Sequence, residues 1–207
     1  SSGADRISVN PQTMNNNVLR IIGRNHTAED TVRAFFSARE EGFDNINMDL
    51  IAGLPSDTAE SYHQTLDRII DLNPESITVH TLTIKRSAKI YEDDIEKYLT
   101  APASEMVNES IRTLPENGYL PYYLYRQKNT VENLENIGFA KKERESLYNI
   151  FIMDETQTIL GAGCAASTKI VQPNGKITRI HNYKFPYEYI NRFDDLMRKK
   201  QIIYELI

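Results

Sequence analysis

Residues 45–55 read NINMDLIAGLP, and the architecture turns on this run. Asn45 to Ala52 form a β-type apolar segment, and Gly53-Leu54-Pro55 ends it with a tight exit turn. Asp49 sits inside this strand, where an ionised carboxylate is costly unless something pairs with it. Working outward, Arg6 to Asn10 reads as a strand before it and Ser76 to Leu82 as one after it. The intervals are helical. The first holds a short helix with Val18, Leu19, Ile21 and Ile22, then a longer one running to Glu41 with Val32, Phe35, Phe36 and Ala38 on its apolar side. Thr27 is the N-cap of the longer helix, Asp30 its N3 residue and Gly42 its stop. In the second interval Asp57 with Glu60 marks a helix start, Leu66, Ile69 and Ile70 supply the buried stripe, and Asn73-Pro74 ends it. This βα repeat predicts parallel strands with right-handed crossovers. In such sheets the loops at the carboxyl ends of the strands carry the chemistry, here Asn10 to Thr13, Asp49 to Pro55 and His80 to Lys85.

Downstream, a helix from Ser104 to about Leu114 should stop or kink at Pro115, which cannot continue the hydrogen-bond ladder. Tyr119 to Tyr125 reads as a strand. From Leu147 the pattern reads as β-hairpins: Tyr148 to Met153 turning at Asp154-Glu155 into Thr158 to Gly161, and Lys169 to Val171 pairing with Ile177 to Ile180 around Pro173-Asn174-Gly175. Pro186 opens a final helix with Tyr189, Ile190, Phe193 and Leu196 on its apolar side and a basic last turn.

The bulk composition fits a folded chain: 207 residues, 40% hydrophobic and 26% charged, enough for one sizeable core or a large domain with a small appendage. The net charge of -5 is spread along the sequence without a dense Lys/Arg cluster, so nucleic acid is not an expected partner. Apolar runs such as Ile150 to Met153 are far too short to span a membrane, and the N-terminus lacks a signal-peptide layout. A cytoplasmic setting is expected. Cys164 is the one cysteine, which excludes an internal disulfide and any multi-cysteine metal site made by this chain alone.

The segments NPQTM (10–14), IGRNHT (22–27), NMDLIAGLP (47–55), TVHTL (78–82), YYLYRQKN (122–129), NLENIGFA (133–140) and GAGCAAS (161–167) together resemble the HemZ-type oxygen-independent coproporphyrinogen III dehydrogenases of the radical S-adenosylmethionine (SAM) superfamily. The resemblance runs through nearly the whole chain in order. It implies an α/β fold: a partial parallel (β/α) barrel, second half only, over residues 1–118, with a small family-specific C-terminal α+β region over 119–207. It implies an enzyme whose 4Fe-4S cluster, bound by a CxxxCxxC loop, cleaves SAM to a 5'-deoxyadenosyl radical. That radical removes a propionate hydrogen and decarboxylation leaves a vinyl group, twice, turning coproporphyrinogen III into protoporphyrinogen IX. An electron-donor protein would serve the intact enzyme. The cluster motif is absent here and in the family lies upstream, so this stretch alone is expected to be inactive and to bind SAM weakly at best.

Site residues follow by position. Gln12, an amide that both donates and accepts, matches the glutamine facing the SAM ribose or methionine part; a loop-capping amide is its plainer role. Arg24 matches the arginine of the methionine carboxylate, or is a solvated helix-end residue. Asp49 matches the ribose-binding aspartate, or binds a neighbouring backbone or Arg. Gly53 and Leu54, with Pro55, would let the backbone approach the adenine, or form a structural turn. His80, Tyr125 and Arg126, with Lys128, are candidates for the propionates of the substrate, while a satisfied core histidine is the ordinary alternative for His80. Lys169 and Lys184 are weaker candidates. Gly161, Gly163 and the small residues to Ala166 suit close approach to a ligand or close packing, and Cys164 is expected to pack in the core. No residue is assigned a catalytic role and no metal ligand is expected. A heme-binding chaperone of the same superfamily is the competing function, and the YYLYRQKN segment argues for the dehydrogenase.

Overall fold

A computed structural model describes residues 3–83, 102–128 and 130–206. The chain forms two compact units, residues 1–145 and 146–207.

The first unit is built on a five-stranded sheet of order β1-β2-β3-β5-β4. Its strands are β1 (Ile7–Gln12), β2 (Ile46–Ala52), β3 (Ser76–Thr81), β4 (Leu120–Tyr125) and β5 (Asn136–Ala140). The expected parallel pairing of the first three holds. The fold is therefore mixed α/β with a parallel-strand sheet. What the sequence reading lacked is β5, which slots between β3 and β4 and runs antiparallel to both. The helices are α1 (Asn16–Ile21), α2 (Ala28–Glu40), α3 (Ala59–Leu72) and α4 (Ala103–Glu116).

Local chemistry sets these boundaries. Thr27 and Asp30 form the capping box of α2, and Gly42, with φ +90°, follows its end. Thr58, not Asp57, caps α3 through its side chain, because its extended backbone aims the hydroxyl at the Ser61 amide. Asp57 lies one residue outside and is buried. Asn73 closes α3 in the left-handed conformation. Helix α4 passes through Pro115 and ends at Glu116, one residue beyond.

One face of the sheet carries the core. Met48, Leu50, Ile77, Val79 and Phe139 pack there with Phe35 of α2, Tyr62, Leu66 and Ile69 of α3, and Met106 and Leu114 of α4. Each lies at under a tenth exposure, and burial of such side chains contributes about 1.5–3 kcal/mol apiece.

In the second unit, β6 (Ser167–Val171) and β7 (Ile177–His181) form the expected hairpin. The other expected hairpin is absent. Leu147–Asp154 is a helix, α5, while Ile159 makes an antiparallel bridge to Lys169 instead. The physical reason is tertiary: the buried Lys169 ammonium donates to the Phe151 and Ile152 carbonyls at 3.0 and 3.3 Å, satisfying acceptors that the helix end leaves open. The expected final helix is broken at Arg192 into α6 (Pro186–Asn191) and α7 (Phe193–Lys200), with α8 (Ile203–Leu206) after them. Cys164 is exposed rather than in the core, its thiol directed at the Tyr183 and Lys184 carbonyls. Among the described residues no helix is long and apolar enough to cross a membrane.

Candidate functional site

Strand geometry sends alternate side chains to opposite faces. Met48, Leu50, Ile77 and Val79 take the core face, which leaves Asn47 and Asp49 of β2 and Ser76, Thr78 and His80 of β3 on the other. Register then draws a row across the sheet: Asp49 is opposite Thr78, Thr78 opposite Gly138, and Gly138 opposite Tyr123.

Gly138 is the key to the row. A Cβ there would lie 1.8 Å from Tyr123 Cε1, so the tyrosine ring fills the space a side chain would take. Tyr123 thereby crosses β5 toward β3, where Thr78 offsets part of the effect of burial on its phenol. Tyr125 does the same toward the carboxyl edge, its hydroxyl 3.4 Å from His80 Nδ1. The two rings are parallel within 7° with centroids 6.2 Å apart. His80 Nε2 in turn stands 3.8 Å from Asp49 Oδ2, an ion-pair distance.

Asp49 is the point where the rows meet. Asn47 donates to its Oδ1 at 2.6 Å, and the Asn47 carbonyl oxygen accepts from the Ser76 and Thr78 hydroxyls, each at 3.1 Å. Burial would raise the Asp49 pKa. His80, Asn47 and Thr78 outweigh burial and hold the carboxyl below its ordinary value. Burial also pushes the Tyr123 phenol up to about 12 and the Tyr125 phenol upward, so both remain neutral donors at physiological pH. The strand aspartate is therefore an anchored anion, 21% exposed, beside a histidine 29% exposed. Such a carboxylate can accept two hydrogen bonds from a ligand diol.

The remaining expected residues are placed less tightly. Gln12 ends β1 beside Leu50, buried, in the left-handed region at φ 69°, with its amide nitrogen 3.4 Å from the Asn10 carbonyl. A non-glycine residue held in that region is uncommon and clusters at ligand sites. Gly53 has φ +80°, and a Cβ there would come within 2.9 Å of Ala103 Cβ; its N–H donates to Met106 Sδ at 3.2 Å. Close approach of α4 thus accounts for the glycine, and Leu54 is buried. Arg24 follows α1 with an exposed side chain that has no partner among the described residues. Arg126 is exposed and ion-paired with Glu135 at 2.8 Å. Lys85 and Asn129 lie outside the described residues.

So the structure gathers Asp49, His80 and Tyr125 and leaves Arg24 and Arg126 outside that cluster. It adds Asn47, Thr78, Tyr123 and Gly138, which residue-by-residue reading missed. Their signal was present as polar residues at every second position, 47 and 49 in β2, 76, 78 and 80 in β3. Among the described residues no three His, Cys, Asp or Glu side chains gather to hold a metal ion.

Residues 1–69 match the Radical SAM superfamily. The chain is 44% identical over 200 residues to the oxygen-independent coproporphyrinogen-III oxidase-like protein HemZ of Bacillus subtilis, covering 95% of this chain and 40% of that protein. It is 29% identical over 179 residues to the heme chaperone HemW of Buchnera aphidicola, covering 86% of this chain and 44% of the relative. The solved structure of coproporphyrinogen III oxidase HemN from Escherichia coli, a radical SAM enzyme, superposes with a TM-score of 0.62 at 23% identity, over 93% of this chain and 44% of that one. At that identity the superposition shows the fold. The chain spans about two fifths of the length of these curated relatives.

Proposed function

The chain belongs to the radical SAM superfamily, among relatives named as coproporphyrinogen III oxidases and heme chaperones, and from that premise we propose that it is part of an enzyme oxidatively decarboxylating coproporphyrinogen III to protoporphyrinogen IX in anaerobic heme biosynthesis. The observation that carries the reading is the Asp49 site: an anchored carboxylate at the sheet's polar face, with His80 and two neutral phenols beside it. The greater identity to the oxidase-like relative than to the chaperone weighs the same way.

In this reading Asp49 accepts the ribose hydroxyls of SAM. Gln12 and the Gly53-Leu54 turn border the same ligand at the carboxyl ends of β1 and β2, and Arg24 takes its carboxylate. The residues present fit the nucleoside part: a carboxylate kept ionised, donors at hand and a strained glutamine at the strand end. They do not fit a 4Fe-4S cluster, since Cys164 is the one thiol of the chain and cluster ligation needs several. Cluster ligands and the redox partner protein would therefore come from outside these residues. Bound SAM with a reduced cluster supplies hydrogen-abstracting chemistry. This chain's own groups hold the nucleoside and place donors, the neutral phenol of Tyr125 and the imidazole of His80, toward the propionates, with Arg126 at the outer edge. The setting proposed is the cytoplasm.

The test is anaerobic turnover of coproporphyrinogen III by the full gene product after cluster reconstitution, with product oxidised to protoporphyrin and quantified. Protoporphyrin formation that is lost in Asp49→Ala and Arg24→Ala is the expected result. Heme binding or SAM cleavage without protoporphyrin would transfer the assignment to the chaperone function.

A further inference from the structure

We propose that Asn47 is the positioning residue of the Asp49 site: its amide clamps one carboxylate oxygen so that the other stays free, ionised and aimed for the ligand. The inference rests on the reading of Asp49 as a ribose-binding carboxylate and names the group that makes it competent.

Four hydrogen bonds converge on this one buried amide. Asn47 Oδ1 accepts from Ser76 and Thr78 of β3, and Nδ2 donates to Asp49 Oδ1 at 2.6 Å and to Ser8 of β1 at 3.4 Å. An amide has two donors and two acceptor lone pairs, so Asn47 is fully engaged and cannot rotate without breaking the set. Its oxygen is fixed by hydroxyls that only donate to it. The NH₂ group must then face β1 and Asp49, which determines which oxygen of Asp49 is held. Asp49 Oδ1 is the oxygen taken by this bond; Oδ2 lies 3.8 Å from His80 Nε2, beyond a direct hydrogen bond. The arrangement leaves Oδ2 as the ligand-facing acceptor. The amide supplies a fixed donor at every pH.

The groups that bear on Asp49 come from each neighbouring strand. His80 stands on β3, the Tyr123 and Tyr125 phenols reach over from β4, and Arg6 at the start of β1 meets this face at Ser76, 3.0 Å away. Among the described residues Asn47 makes the short hydrogen bond to Asp49, so its removal should release the orientation of the carboxylate and take away one of the three influences, beside His80 and Thr78, that keep it ionised.

The experiment is NMR on the 207-residue chain, following the ¹³C carboxyl signal of Asp49 through an acid titration, with S-adenosylhomocysteine added to millimolar concentration in a second series. Asn47→Ala is expected to move the Asp49 titration to higher pH. The acid limb of ligand binding should move with it, and binding at neutral pH should weaken on the order of tenfold, the loss of one charge-assisted hydrogen bond. Ser8→Ala removes a different partner of the same amide and should leave the titration in place. Ser76→Ala removes a donor to the Asn47 oxygen without touching Asp49, and gives a smaller shift in the same direction if Asn47→Ala does not fold. An unmoved Asp49 titration in folded Asn47→Ala, or binding lost in Asp49→Ala yet unchanged in Asn47→Ala, overturns the positioning role. Binding indifferent to Asp49→Ala overturns the ribose reading itself, and the positioning role with it.

Discussion

The ring of Tyr123 occupies the place a side chain at position 138 would need, with Cε1 1.8 Å from a Cβ built there. Adding that methyl must push away a ring that is largely buried and whose face stacks with Tyr125. Gly138→Ala should therefore destabilise the chain by about 1–3 kcal/mol, as overpacking does. In a Tyr123→Ala background the same change should cost much less, because the obstacle is gone. Urea unfolding midpoints of the four proteins measure this; equal costs in both backgrounds would show that the ring is not what excludes a side chain. Asp49 and His80 carry a related lesson. Each was visible in sequence as an ionisable group in a strand, but their 3.8 Å separation depends on parallel register between residues 31 apart in the chain.

Helices α3 and α4 are joined by two polar ties. Tyr62 and Ser110 share a buried hydrogen bond at 2.8 Å, and on the solvent side His63 Nδ1 meets Glu109 at 2.6 Å. The hydrogen bond to Glu109, then the charges of Asp67 and Glu109, raise the His63 pKa. A histidine whose folded pKa is raised contributes stability that is fully present below its unfolded value of about 6.5 and lost as pH rises through the folded one. His63→Ala should thus lower the melting temperature near pH ~6 and converge on the parent at alkaline pH. A gap that is constant across this range would assign the contribution of His63 to packing. The effect is small, since the histidine is about half exposed to solvent. At this scale the capping box of α2 was readable from Thr27 and Asp30 alone, because capping is a contact between residues three apart. Helix α5 was not. Residues 147–154 are apolar enough to suit either helix or strand, and the choice is completed by Lys169, far along the chain.

At the scale of the sheet, β1 and β4 each have a neighbouring strand on one side only among the described residues. An open strand edge offers unpaired backbone groups to another chain. The 207-residue chain is therefore expected to self-associate with rising concentration in sedimentation velocity, and Asn10→Lys, at an exposed position of β1, should reduce it. A monomer at every concentration would mean that this edge is otherwise protected. The order of strands and helices from Arg6 to Leu82, the parallel pairing and the capping box of α2 were determined by the sequence itself, because hydrophobic period, caps and turn residues act over a few positions. So was the family, through short segments that keep their order along the chain. The insertion of β5 between β3 and β4 was decided only in three dimensions, and with it the passage of Tyr123 over Gly138 to Thr78 and of Tyr125 to His80. Those approaches join residues 45 apart, and no local period encodes them: they exist because β5 seats β4 one strand away from β3, and the missing side chain of Gly138 lets the Tyr123 ring cross the strand between.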